Sequence, residues 1–159
     1  MNNGSSGGPS APTHHQRFTA ALLDGIIATG LTAFLGGLPL LAGIVGGVYL
    51  VVRDGLEIGP LHFRSVGKYM MGLDLERLDG APVTLETSVQ RNWMLGVSSV
   101  AGVFVAVPIV GGALASLLSF VGLGLILLEV YNVATDPAGR RWGDRFGNTR
   151  VVATGDGVL

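Results

Sequence analysis

Cysteine is absent from this 159-residue chain. That removes disulfide frameworks, thiolate nucleophiles and Cys-type zinc sites together, and leaves the redox compartment open. Charge is scarce too: 13% of residues are Asp, Glu, Lys or Arg, about half the share of an ordinary soluble domain. Such a chain cannot cover a globule with water-facing groups, so a membrane is its natural solvent. Neither sign is in excess, with 10 Lys and Arg against 11 Asp and Glu, and there is no basic footprint for nucleic acid. The patterns of an enzyme are missing as well. No His lies inside an apolar run, no Walker or dinucleotide glycine pattern occurs, and no carboxylate pair has a nucleophile beside it. His14 and His15 offer only two metal ligands and His62 stands alone. The reading is a non-enzymatic chain without cofactor or metal.

What the chain has is apolar length. From Phe18 to Val52 the only charged side chain is Asp24, and from Trp93 to Leu128 there is none. A straight helix over either run would cover about 50 Å, against a hydrocarbon core of about 30 Å. Each run carries a break near its middle, Gly36-Gly37-Leu38-Pro39 in the first and Pro108-Ile109-Val110-Gly111-Gly112 in the second. The expectation is an all-α membrane protein with four transmembrane helices in two hairpins, spanning about 17–36, 39–54, 92–108 and 112–134. Fewer, longer tilted spans are the rival. All ten basic residues lie in the N-terminal flank, the central segment or the C-terminal tail, and none in a hairpin turn. By the positive-inside rule both termini and the central segment are cytoplasmic, in a cell (inner or plasma) membrane.

Outside the spans, residues 1–16 are Gly, Ser, Pro and polar groups with no hydrophobic period, and read as a disordered tail. In the cytoplasmic segment 55–91, Ser65 to Met71 suits a short helix in the headgroup region. Leu73, Leu75 and Leu78 alternate with polar residues as a strand does. Asp79-Gly80 signals a turn, after which Val83-Thr84 is a return strand or the start of the third helix. Thr149-Arg150-Val151-Val152, in the tail 135–152, is also strand-like, so a small cytoplasmic β element pairs these pieces. Residues 153–159 read as a flexible end.

Four motifs in this order resemble the RDD family of small bacterial and archaeal membrane proteins. They are Arg17 with Asp24 two turns on in RFTAALLDGII, the Ser-x-Gly-Lys of SVGKYMMGLDL, the DG turn with Arg91-Asn92 in LDGAPVTLETSVQRN, and Asp-Arg-x-x-x-Thr in GRRWGDRFGNTRVV. The resemblance covers Arg17 to about Val152 and implies one membrane domain, 17–152, whose motif residues are Arg17, Asp24, Lys68, Arg91, Asn92, Asp144 and Arg145. The family's name refers to one Arg and two Asp, here Arg17, Asp24 and Asp144. Tyr69 stands where a second basic residue usually follows the Gly-Lys, which weakens any grip on anionic headgroups. The resemblance implies transport of unidentified ligands, with sodium–proton exchange in some members.

Depth counting from each cytoplasmic end places Asp24 seven residues inside Arg17, Ser98 seven inside Arg91, and Glu129 seven inside Asp136, all about 10 Å deep. On the second helix the same level falls at Gly46-Gly47, and Asn132 lies one turn from Glu129. A carboxylate at a helix centre costs roughly 2.5–3.5 kcal/mol, so the layer Asp24, Ser98, Glu129 and Asn132 needs compensation. It is a candidate ion or proton site, or else the polar glue of helix packing. Arg17 and Asp24 are too far apart to touch directly, and the Asp144 cluster with Arg140, Arg141 and Arg145 reads as solvated and interfacial. Gly43-x-x-x-Gly47 packs helices within one chain or between chains. Two functions of different class follow. One is a transport subunit in a homo-oligomer, moving a small cation, proton or small ligand through the buried acids. The other is a membrane-embedded scaffold or accessory protein that recruits a cytoplasmic or membrane partner.

Overall fold

The computed structural model describes residues 10–105 and 107–159. Four longer helices are α1 (His14–Phe34), α2 (Pro39–Val52), α4 (Leu85–Phe104) and α5 (Gly111–Thr135). Two five-residue helices, α3 (Val66–Met70) and α6 (Trp142–Phe146), a single 3-10 turn (Gly59–Leu61) and two strands, β1 (Leu73–Arg77) and β2 (Thr149–Ala153), make up the other elements among the described residues. The breaks fall where Pro and Gly place them. Pro39 occupies the first turn of α2, where its missing N–H has no helical partner to lose, and Gly111 opens α5 after the turn at Pro108.

Among the described residues two helices, α1 and α5, are long and apolar enough to cross a membrane, and only 17% of the most apolar window of each is buried. A helix in the core of a soluble protein shows the reverse. Phe34, Leu117, Phe120 and Leu127 stand outward on these two helices, an apolar coat suited to lipid. The chain is thus a mostly helical, membrane-type protein with a small two-stranded sheet. α2 is apolar but shorter, at 14 residues. α4 starts seven residues before the expected span, because Thr84 caps it and shares a capping box with Thr87. Its first turns bury Thr87, Ser88, Arg91 and Asn92 and so belong to a polar lobe.

The long helices pack in the sequence α1 on α2, α2 on α4, α4 on α5, while α1 and α5 make no comparable contact. Small residues permit the two inner contacts. A Cβ on Gly47 would lie 2.6 Å from Ser99 Cβ, one on Gly43 3.1 Å from the Ser99 carbonyl, and one on Gly122 2.5 Å from Ser98 Cβ. The Gly43-x-x-x-Gly47 pair therefore serves packing within the chain.

The lobe is built on β1 and β2, antiparallel with Leu73 opposite Ala153 and Arg77 opposite Thr149. Leu73, Leu75 and Val151 form its small core with Ala20 of α1, and Met71 and Val83 flank it. Thr84 is the N-cap of α4, so Val83-Thr84 starts the third long helix and is no return strand. The disordered tail expected over 1–16 is corrected at its end; residues 1–9 lie outside those described. Ser10 exchanges backbone hydrogen bonds with Ala153, and Thr13 caps α1 through Gln16. The end expected to be flexible, 153–159, folds back, with Val158 and Leu159 donating to the Met70 carbonyl and Asp156 meeting Arg64 at 3.3 Å.

Candidate functional site

At the lobe end of the bundle, between α1 and α5, lies a cavity of about 650 Å³. Asp24, Ser98 and Glu129 all line it, so three of the four residues placed in one layer by depth counting do meet around one space. Asn132 does not. Its amide turns onto its own helix, donating to the Leu128 carbonyl at 2.8 Å. Gly46-Gly47 is not the α2 member of the layer either. Gly46 faces Thr32 and Gly47 faces Ser99, a level further from the lobe, while Arg53 reaches the acid from the end of α2.

Both acids are fully occupied. Asp24, 1% exposed, pairs with Arg53 Nη1 at 3.1 Å and accepts the Gly67 N–H at 2.9 Å and the Tyr49 hydroxyl at 3.3 Å. Glu129 accepts the N–H groups of Trp142 at 2.8 Å and Gly143 at 3.0 Å. The two contacts follow one plan. An acid on an outer membrane helix satisfies the otherwise orphan amides at the start of a short helix, α3 or α6. In each case a glycine at the second position lets the short helix touch backbone. A Cβ on Gly67 would lie 2.1 Å from the Ala20 carbonyl oxygen, and one on Gly143 1.9 Å from that of Arg91.

Beneath the cavity is an ionic network that no periodicity signals. Asp54, entirely buried, pairs with Lys68, accepts from Asn92 Nδ2 at 3.0 Å and lies 3.7 Å from Arg91 Nε. Arg91 in turn holds Asp144 at 2.6 Å, and Arg141 reaches Asn92 Oδ1 at 3.1 Å. The motif residues Lys68, Arg91, Asn92 and Asp144 thus converge, although they come from three separate stretches of chain. Asp144 is fully buried, which corrects its reading as part of a solvated cluster; Gly143 beside it makes the close approach feasible. Lys68, buried against Asp54, is likewise no surface hook for headgroups. Arg145 departs from the group and pairs with Asp136 at 2.6 Å. Arg17 donates to the carbonyls of Gly139 and Val151, tying α1 to the tail. The unforeseen members are Arg53 and Asp54, whose signal was an adjacent charge pair closing an apolar helix.

The network should make the lobe acid-sensitive. Burial pushes the Asp54 carboxyl up, but Lys68, Arg91 and Arg53 outweigh it and hold it well below the usual carboxylate range. For Asp144, burial is likewise outweighed by Arg91 and Arg141. A depressed folded-state value contributes stability above the ordinary 3.8 and loses it as pH falls below that. Lys68 is lowered as well, for a different reason: burial, only partly offset by Asp54, draws it from 10.5 to about 8. Between these values the unfolded chain keeps a proton that the folded chain has released, so stability rises with pH there. Melting followed by Trp93 and Trp142, the chain's two tryptophans, should show a midpoint falling below pH 4 and no loss from pH 8 to 10. A midpoint flat down to pH 3 would contradict the network.

No curated protein and no solved structure matches the chain. The RDD family profile matches residues 11–148, a stretch that contains the ionic network, the first three motifs and the fourth up to Asn148, and every cavity-lining residue except Val151. The chain belongs to the RDD family.

Proposed function

We propose that this protein crosses the cell membrane four times as two helical hairpins, keeps both termini and the lobe cytoplasmic, has no enzymatic chemistry, and takes part in transporting a small ligand held in the cavity between α1 and α5. The observation that carries the reading is the cavity itself, where charged side chains from α1, α2, α4, α5 and the lobe face one space. Intramembrane and membrane-edge charges mark ligand or ion pathways more often than packing alone requires. The occupied state of Asp24 and Glu129 weighs against a bare carboxylate relay and favours a ligand held by the whole set. Membership of the family supports membrane placement without naming a solute.

Two experiments test it. The chain lacks cysteine, so single cysteines at Gly37, Ala81 and Val110 report sidedness directly. Labelling from outside should reach Gly37→Cys and Val110→Cys and spare Ala81→Cys; the opposite pattern would overturn the topology. In proteoliposomes, flux of sodium, protons and small organic anions should exceed that of empty vesicles for at least one class. Gly25→Leu should abolish it without reducing insertion, because a Cβ at Gly25 meets open space beside the cavity. Absence of flux for every class would sink the transport reading.

A scaffold role is favoured by one feature, the partly exposed cluster of Trp93, Trp142 and Phe146 with edge-to-face rings 6.0–6.5 Å apart. Crosslinking in membranes after Trp142→Ala and Phe146→Ala tests it. Unchanged partner capture would remove that support.

A further inference from the structure

The cavity has a floor and walls of different chemistry. Five cationic side chains line it, Arg17, Arg53, Lys68, Arg91 and Arg141, against the carboxylates Asp24, Glu129 and Asp144. Asp54 behind the floor still leaves one positive charge uncompensated. More telling is the hydrogen bonding. Arg91 is 1% exposed and Arg53 7% exposed, yet among the described residues Arg91 Nε and Nη1 and Arg53 Nε have no hydrogen-bond partner, whereas Asp144 Oδ1, which also makes no hydrogen bond, is ion-paired to Arg91 Nη2 at 2.6 Å. Arg91 Nε lies 3.7 Å from Asp54, an ion-pair distance beyond hydrogen-bonding reach. Buried guanidinium N–H groups are rarely left unpaired, and an anion is what would satisfy them.

The walls are apolar. Phe18, Ala21 and Gly25 of α1 face Ile126, Val130 and Val133 of α5 across the gap where those helices do not pack. Phe18 and Val130 are largely exposed, so the mouth opens sideways, onto the surface that α1 and α5 offer to lipid. A free inorganic anion would complement the floor and leave this flank unfilled. An amphiphile complements both, and at the expected cytoplasmic boundary the abundant anionic amphiphiles are phospholipids.

We propose that the cavity receives a phosphate-bearing phospholipid from the side, its headgroup phosphate on Arg53 and Arg91 and one acyl chain in the cleft between α1 and α5. The assignment rests on the ligand-binding reading above and names its chemical class. The volume suits one headgroup and the first part of a chain, within the usual range of about 300–1,000 Å³ for ligand pockets. Phosphate matches the planar N–H fork of arginine better than it would a lysine ammonium.

The test uses the full chain, released from detergent micelles doped with equal phosphatidylglycerol and phosphatidylcholine, with retained lipid counted by native mass spectrometry. Phosphatidylglycerol should be retained about tenfold over phosphatidylcholine, and Gly25→Leu should lower that retention about tenfold. Arg53→Lys keeps the charge opposite Asp24 and should weaken retention less. Tryptophan-detected melting in lipid-free detergent should be unchanged in Gly25→Leu, which separates loss of binding from loss of fold. Equal retention of both lipids, or equal retention by wild type and a folded Gly25→Leu, would overturn the proposal. A parallel arm adds inorganic phosphate alone. If phosphate raises the melting midpoint and no lipid is retained, the lipid assignment falls while a ligand site stands. If neither binds, both readings fall.

Discussion

Asp54→Ala is expected to release the lobe from the long helices, at a cost of about 3–5 kcal/mol, the usual penalty for removing one partner of a buried pair. Asp54 is fully buried and answers Lys68, Asn92 and Arg91 together. Its own N–H meets the Ser88 hydroxyl at 3.2 Å, and that hydroxyl donates to the Val51 carbonyl at 2.7 Å, so the junction of α2 with α4 is fastened at the same place. With the carboxylate gone, the buried Lys68 ammonium has no counter-charge and must deprotonate, draw in water or leave. Each outcome opens the contact between α3 and the bundle. Melting by tryptophan fluorescence and limited proteolysis of 55–91 would both register it. The companion is Asp54→Leu with Lys68→Met, which removes both charges and fills the space. It should recover most of the loss, since apolar replacement of a whole buried pair is often neutral or better. If Asp54→Ala melts like wild type, the network is not what secures the lobe.

Gly143→Ala and Gly67→Ala form the second large prediction. Each adds one methyl group, and in each case the obstacle is a helix backbone rather than a pliable side chain, at 1.9 Å from the Arg91 carbonyl oxygen and 2.1 Å from that of Ala20. Real Cβ atoms do not come that close, so the short helix must lift off by an ångström or more. Lifting α6 breaks the two N–H bonds to Glu129 and lengthens the Asp144–Arg91 pair. Lifting α3 breaks the bond from Gly67 N–H to Asp24. A loss of about 2–4 kcal/mol, at the upper end of single substitutions, is expected for each. Gly112→Ala and Gly124→Ala, whose added Cβ would meet nothing within 4 Å, should be neutral or slightly stabilising through helix propensity. Hydrogen exchange of amides 66–70 and 142–146 would separate the two pairs; equal protection in all four variants would refute the packing account.

The long helices were legible because apolar length and Pro or Gly breaks are local signals, and local signals placed the breaks near 36–39 and 108–112. β1 and β2 were legible for the same reason, through alternation and the Asp79-Gly80 turn, and even their partnership was inferred. The site was read in part. Depth counting put Asp24, Ser98 and Glu129, which line one cavity, at one level because each lies about two turns inside the lobe end of its helix. It chose Gly46-Gly47 on α2 because it assumed the same inset there, whereas Arg53 itself bends back to the acid. Asn132 was assigned by spacing alone, and spacing does not say that a helical Asn will turn onto its own carbonyl. Asp54 and Lys68 are 14 residues apart across an irregular segment, where no period applies. Gly67 and Gly143 look like any of 26 glycines until the backbone that each one touches is known.

Asp24 and Glu129 also fix something that neither charge nor packing describes. A helix in a bilayer is held along its axis only loosely, since hydrophobic mismatch opposes a shift by just fractions of a kcal/mol per ångström. Sliding α1 or α5 by one residue moves its acid about 1.5 Å, enough to strip the amides of α3 or α6 of their acceptor. The short helices, resting on the lobe, therefore act as depth gauges that set how far each outer helix is immersed.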